Sequence, residues 1–209
     1  MGMMNSASRI AAGRPRVKDA AISALIRARN RDPGASRGSR GLNCPDVRLI
    51  IGAKGTIPRR RRPDVLYFAY ASNLNQAQMK RWCPASRFLK ITFLEGYRFV
   101  YDGYSVAWDG AVGNIVTSET EGVWGALYDI TERDRLTLDA FEGYPRSYER
   151  KEIEVKDREG RVDRAMTYHR TGRAVGKPHP DYEKVVLDGA KECGLPEEYV
   201  DKTLRVPRL

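Results

Sequence analysis

The segment that most limits what this chain can fold into is Leu66-Tyr67-Phe68-Ala69-Tyr70-Ala71-Ser72-Asn73-Leu74-Asn75. Its first five residues are apolar or aromatic without a break, the pattern of a buried strand. Ser72 to Asn75 then form a small polar turn, and Gln76 through Trp82 is a helix-forming stretch. A core strand that hands over to a helix within a few residues exposes unpaired backbone N–H groups at a rigidly held point. Two uses of such a turn compete. Its amides, helped by Ser72 and Asn73, can grip a carboxylate or small oxyanion; or Ser72 and Asn73 simply cap the helix.

Upstream of this segment the chain has a different texture. Of the 209 residues, 1–63 hold 15 Lys or Arg against 3 Asp, a net charge of +12, whereas 64–209 sum to −2. The overall +10 therefore belongs to a leader and gives no basic face to the domain that follows. Arg31 to Gly41 is low-complexity, and a tetra-arginine run, Arg59 to Arg62, sits between Pro58 and Pro63. Such a composition buries too little apolar surface to offset its ordering entropy, so residues 1–63 are expected to be disordered and dispensable. A short helix around Ile22, Leu25 and Ile26, a targeting role and a nucleic-acid-binding arm are the other readings of this leader. No run reaches the roughly 18 apolar residues of a membrane helix.

From Asp64 onward, strand-like runs (65–70, 97–104, 122–130, 151–157 and 163–170) alternate with turn pairs Asp102-Gly103, Asp109-Gly110 and Glu159-Gly160. Two helical stretches interrupt them. One opens on Thr131 with Asp134 three residues on, an approximate capping box, and stops at Gly143. The other follows Pro180, carries the stripe Tyr182, Val185, Val186 and Ala190, and closes at Gly194. With no regular strand–helix–strand repeat, residues 64–209 are expected to form one mixed α+β domain.

Side chains fit for chemistry are few. Cys44, Cys83 and Cys193 are odd in number and widely spaced, which points to a reducing, cytoplasmic setting rather than a disulfide scaffold. His169 and His179 are too isolated for a zinc site, so no metal and no cofactor is expected. Ser72 stands at a strand-to-helix turn as a hydrolase nucleophile would, but without the Gly-x-Ser-x-Gly elbow, and neither histidine is marked as its base. Glu142, in Leu138-Asp139-Ala140-Phe141-Glu142-Gly143-Tyr144, is a carboxylate among aromatics. It reads either as a proton shuttle or as a solvated glutamate at a helix end, and Glu95 before Gly96-Tyr97 shows that the local pattern alone does not choose.

Taken together these segments resemble the gamma-glutamylcyclotransferase, or AIG2-like, family. The family's Tyr-Gly-Ser-Asn-Leu loop is similar to Tyr70-Ala71-Ser72-Asn73-Leu74, and its Leu-Asp-x-x-Glu-Gly segment to Leu138 through Gly143. The resemblance, covering about residues 65–205, implies a small mixed β-barrel flanked by helices. It also implies a small-molecule gamma-glutamyl amine or amino acid as substrate, cyclised to 5-oxoproline with release of the amine. It assigns Glu142 as the catalytic acid/base and Tyr67, Phe68, Ala69, Tyr70, Ala71, Ser72, Asn73, Leu74 and Tyr182 as the substrate-binding set. Removal of a gamma-glutamyl protecting group in a biosynthetic pathway uses the same residues, and a non-enzymatic small-molecule or nucleic-acid-binding module is the reading from another class. A homodimer is left open. Ala71 stands where the family loop has glycine; if that position requires positive φ, alanine costs roughly 1 kcal/mol and glycine would be an improvement.

Overall fold

The structure, a computed structural model, describes residues 64–206. The leader expected at 1–63, with its short helix and Cys44, lies outside the described residues.

Five strands close into a barrel in the order β1-β3-β2-β4-β5. They are β1 (Val65–Ala69), β2 (Arg87–Ser105), β3 (Gly110–Ile130), β4 (Glu149–Lys156) and β5 (Val162–His169). β1 runs antiparallel to β3 and parallel to β5, so the barrel is mixed. The helices are α1 (Gln76–Trp82), α2 (Glu132–Glu142), α3 (Pro180–Cys193) and a short turn, α4 (Glu197–Tyr199), which runs on into a π-helical turn at Val200–Leu204. This is the α+β architecture expected from the mixture of runs.

β2 and β3 are far longer than the runs visible in the sequence, 19 and 21 residues. Arg87 to Gly96 lies outside the strand runs expected from the sequence, yet all of it but Leu89 and Gly96 pairs with β3. Its mixed pattern of exposed and buried positions hides the period of two. Asp102-Gly103, read as a turn, lies inside β2, where a register shift between Asp102 and Ser105 and a φ of +58° at Gly103 absorb the turn chemistry as a bulge. Asp109, at φ +52°, and Gly160, at φ +78°, do lie in the connections β2–β3 and β4–β5.

The helix signals act as their chemistry dictates. The Thr131 side chain accepts from the Asp134 N–H (3.1 Å) while the Asp134 carboxylate accepts from the Thr131 N–H (3.2 Å), a full capping box. Gly143 and Gly194 close α2 and α3 in the left-handed conformation. His179 is the N-cap of α3, its Nδ1 accepting from the Asp181 N–H at 3.2 Å, which removes it as a base for Ser72. Fully buried Phe68, Leu74, Met79, Leu127, Leu138 and Val186 tie barrel and helices into one core, each contributing about 1.5–3 kcal/mol.

α3 lies directly on the turn that follows β1. A Cβ on Gly189 would stand 2.3 Å from the Asn75 nitrogen and 2.6 Å from the Leu74 carbonyl carbon. Helix propensity alone favours Ala over Gly by about 0.8–1.0 kcal/mol, whereas forcing α3 off this backbone costs about 1–3 kcal/mol. Packing decides: Gly189→Ala is expected to lower the melting temperature and to disturb the turn. A thermal melt in which the variant is more stable than the parent overturns this close-contact reading.

Candidate active site

The turn after β1 is a single 3₁₀ turn, Ser72–Leu74, held by the Leu74 N–H on the Ala71 carbonyl (2.9 Å). Neither Ser72 nor Asn73 caps α1. Asn75 does, accepting from the Gln78 N–H at 2.9 Å. This leaves the Ser72 and Asn73 side chains for other work, and Asn73 has a specific one. Its Nδ2 donates to Glu142 Oε1 (3.0 Å) and to the Tyr67 hydroxyl (2.9 Å), and its Oδ1 accepts from Gln78 Nε2 (3.1 Å). One buried amide thereby joins β1, α1 and the last residue of α2.

Around this junction is a small inner cavity of about 40 Å³ lined by Tyr67, Tyr70, Ala71, Ser72, Asn73, Gly113, Glu142, Tyr148, Tyr168 and Tyr182. An outer chamber of about 370 Å³ shares Ser72, Glu142, Tyr148 and Tyr182 with it. Two larger surface grooves, about 620 and 840 Å³, contain none of the inner residues. Of the residues expected at the site, Tyr67, Tyr70, Ala71, Ser72, Asn73, Glu142 and Tyr182 are brought together. Phe68, Ala69 and Leu74 are not. They are buried in the core, because a strand and a tight turn send their side chains away from the rim that their neighbours line.

Three lining residues escaped sequence reasoning. Gly113 accepts from the Tyr148 hydroxyl at its carbonyl (2.9 Å) and donates its N–H to the Tyr182 oxygen (2.9 Å). Tyr168 accepts the Tyr70 hydroxyl at its carbonyl (2.6 Å) and donates its own to Asp139 (2.8 Å). Only the fold brings β3, β5 and the segment before β4 to the β1 rim, so no local motif announces these three.

Electrostatically the cavity is one carboxylate among phenols. Burial pushes the hydroxyls of Tyr67, Tyr70, Tyr148, Tyr168 and Tyr182 up, and the Glu142 charge adds to the rise at each. Tyr182 reaches about 12, burial being the main cause, offset in part by the Gly113 N–H and the Ser72 hydroxyl. These phenols are neutral O–H dipoles at any working pH. Among the described residues no group of three or more His, Cys, Asp or Glu is placed to hold a metal, and no helix is long and apolar enough to cross a membrane.

The profile of the AIG2-like family matches residues 122–203, which contain β3's second half, α2 and Glu142. The gamma-glutamylcyclotransferases of Mus musculus and Homo sapiens are 33% and 31% identical to this chain over 142 residues, 66% of this chain and 76% of each relative. The chain belongs to the gamma-glutamylcyclotransferase family. That family is one of enzymes, and the barrel is shared as well. A solved gamma-glutamyl cyclotransferase superposes with a TM-score of 0.66 at 29% identity, covering 69% of this chain and 89% of that one.

For a gamma-glutamylcyclotransferase-family loop, the notable position is Ala71. Its φ is −130°, so the strain expected at positive φ is not present. The methyl group instead fills space above Gly113, where a Cβ would lie 2.6 Å from the Ala71 Cβ and 3.0 Å from the Phe99 ring. The two positions share room for one methyl. Gly113→Ala is expected to destabilise by about 1–3 kcal/mol. Ala71→Gly in the same chain should restore part of that loss, with a coupling of at least about 0.5 kcal/mol in a double-mutant cycle of denaturant melts. Additive single and double variants would show that the methyl groups do not meet.

The phenols give a second expectation. Tyr182 keeps its proton in the folded state up to about 12, against 10.0 for an ordinary tyrosine. The unfolded chain therefore loses protons first as pH rises past 10, and stability, level below that point, falls from there upward. In an alkaline titration the buried phenolates should appear together with loss of the fold. Smooth ionisation of these tyrosines near pH 10 in a still-folded protein contradicts their burial.

Proposed function

We propose that this chain cyclises the gamma-glutamyl group of a gamma-glutamyl amino acid or amine to 5-oxoproline, with Glu142 as the proton shuttle. The observation that carries the reading is the position of Glu142. Its carboxylate is pinned by Asn73 at the shared edge of the inner cavity and the outer chamber, facing phenols that stay neutral.

The chemistry asks little more of the protein. The substrate's own α-amino nitrogen attacks its γ-carbonyl carbon; a C–N bond forms within the ring, and the C–N bond to the leaving amine breaks. Because the nucleophile is intramolecular, the gain comes from holding the glutamyl chain in a folded, near-attack shape. Between ammonium and lactam N–H the α-nitrogen loses two protons; Glu142 takes them one after the other and hands each to the departing nitrogen, which leaves as an ammonium, so the net proton count is unchanged. The first amides of the Ser72–Leu74 turn have no acceptor within the turn, and with the hydroxyls of Ser72 and Tyr182 they are suited to the oxyanion that develops on the γ-carbonyl. Asn73, grouped with the binding residues in the sequence, is better described as the residue that positions Glu142.

Glu142→Gln keeps an oxygen to accept from Asn73 but cannot take a proton. It should leave the melting temperature within a few degrees of the parent and reduce 5-oxoproline formation from gamma-glutamyl substrates by on the order of 10²–10⁴. Turnover within about twofold of the parent would sink the assignment.

A further inference from the structure

A proton shuttle has to be held in place both with its proton and without it. Asn73, 4% exposed, makes three side-chain hydrogen bonds around Glu142. Its Nδ2 donates to Glu142 Oε1 (3.0 Å) and to the Tyr67 hydroxyl (2.9 Å), and its Oδ1 accepts from Gln78 Nε2 (3.1 Å). β1 carries Tyr67, the 3₁₀ turn Asn73, α1 Gln78 and α2 Glu142. A carboxylate can only accept, so a charged Glu142 calls for Nδ2 of the amide. Once it has taken up a proton it has an O–H to place, and Asn73 Oδ1 can accept that O–H if the amide turns over. Every partner of the amide is able to follow. Burial keeps the Tyr67 hydroxyl protonated, and a hydroxyl donates as well as it accepts. Gln78 is half-buried and its Oε1 makes no hydrogen bond among the described residues, so its own amide can turn and offer Oε1 to Asn73 Nδ2. The same three contacts then exist with every donor and acceptor exchanged.

We propose that Gln78 and Asn73 form a reversible amide relay, two positioning residues that turn over together and so hold Glu142 both as carboxylate and as acid. This rests on the reaction proposed above. Glu142 accepts from Asn73 Nδ2 while it awaits the ammonium, and donates to Asn73 Oδ1 while it carries the proton. The orientation of the pair then sets how readily Glu142 takes a proton: Nδ2 toward it favours the carboxylate, Oδ1 toward it favours the acid. The phenols that face Glu142 do not titrate with it. Tyr67 and Tyr70 from β1, Tyr148 from the segment before β4, Tyr168 from β5 and Tyr182 from α3 are all raised by burial and by the Glu142 charge. Outside them stand charges that a change at position 78 leaves in place. Asp139 of α2 accepts from the Tyr168 hydroxyl, Arg170 lies against the Tyr148 ring, and Arg81 of α1 lies over the Trp82 ring.

The test gives position 78 a side chain that can play one part only. Gln78→Lys donates and cannot accept, which fixes Nδ2 on Glu142; Gln78→Glu accepts and cannot donate, which turns Oδ1 toward it. Lys and Glu are both good helix formers, so α1 is kept. Protonation of Glu142 is followed without substrate, by infrared difference titration of the carboxyl band that is missing in Glu142→Gln. The midpoint should fall in Gln78→Lys and rise in Gln78→Glu, the two lying about one pH unit apart, a tenfold difference in proton affinity. With gamma-glutamyl-L-alanine as substrate, each variant should lose at least about threefold in kcat at its own best pH while KM stays within about twofold, because a locked pair holds only one of the two states. A charge at position 78 also acts directly across space, and Asn73→Ala separates the two routes: without the amide the difference between the Gln78 variants should vanish. If a melt shows Asn73→Ala unfolded, about 1 M KCl decides, since a Debye length of about 3 Å screens a half-exposed charge and leaves the orientation of a buried amide untouched. Equal midpoints, an unchanged kcat, or a difference that survives the loss of Asn73 or disappears in salt overturns the relay. If the midpoints move as expected but no 5-oxoproline forms even with the parent, the relay stands and it is the reaction that fails.

Discussion

The long antiparallel ladder between β2 and β3 is the constraint on which the rest depends. Its register runs from Arg87 opposite Asp129 to Ser105 opposite Gly110, broken by shifts at Phe88/Lys90, Glu95/Tyr97 and Asp102/Ser105. The half that contains Leu94 and Val123 takes β1 on its other side and closes the barrel. The half that contains Tyr101 and Gly113 extends past the barrel and becomes the wall of the site. The shifts let one pair of strands serve both purposes, because each re-aims the side chains that follow it. A slip of one residue in the upper half would carry Gly113 to the opposite face and bring Val112 or Asn114 against Ala71, leaving no room for the turn.

Buried polar groups in that wall fix the arrangement more than they stabilise it. Asp102 is fully buried, and its pair with Arg170 offsets a desolvation cost of several kcal/mol per ion only because the remaining lone pairs are met by Asn114 and the Arg173 amide. Asn114 in turn accepts the Arg170 N–H (3.2 Å) and donates to the Arg170 carbonyl (3.1 Å), so β3 and the segment after β5 cannot slide past each other. The same logic applies to the tyrosines. Tyr70, Tyr148, Tyr168 and Tyr182 each have a defined partner for the hydroxyl, which turns a costly buried O–H into a directional brace.

The features legible in the sequence were those whose physics is local. The capping box at Thr131, the stops at Gly143 and Gly194 and the strand-to-turn break at Ser72 each depend on residues within one turn of one another. What was hidden depends on partners far along the chain. The first half of β2 shows no clean alternation because its two faces meet different neighbours, and Asp102-Gly103 carries turn chemistry yet sits in a bulge. Ser72 and Asn73 could be read as caps until Asn75 was seen to hold that role. Gly113, Tyr148 and Tyr168 have no motif at all; their meaning comes from barrel closure. The resemblance named the loop and Glu142, but it had no means of separating Tyr67 and Tyr70, which reach the cavity, from Phe68, Ala69 and Leu74, which do not.

Glu142 itself breaks a local rule. It is the last residue of α2, at the negative end of the helix dipole, and the last turn carries no basic residue to offset it. An anion in that place costs about 0.3–1 kcal/mol relative to a neutral side chain, and partial burial adds to the cost. Stability alone would favour Gln or Lys there. What the structure places there is a hydrogen bond from Asn73, itself held by Gln78 and Tyr67, in a cavity lined by phenols. For the proton shuttle proposed here, neutral dipoles around the carboxylate suit the task, because they leave it able to exchange protons with an ammonium.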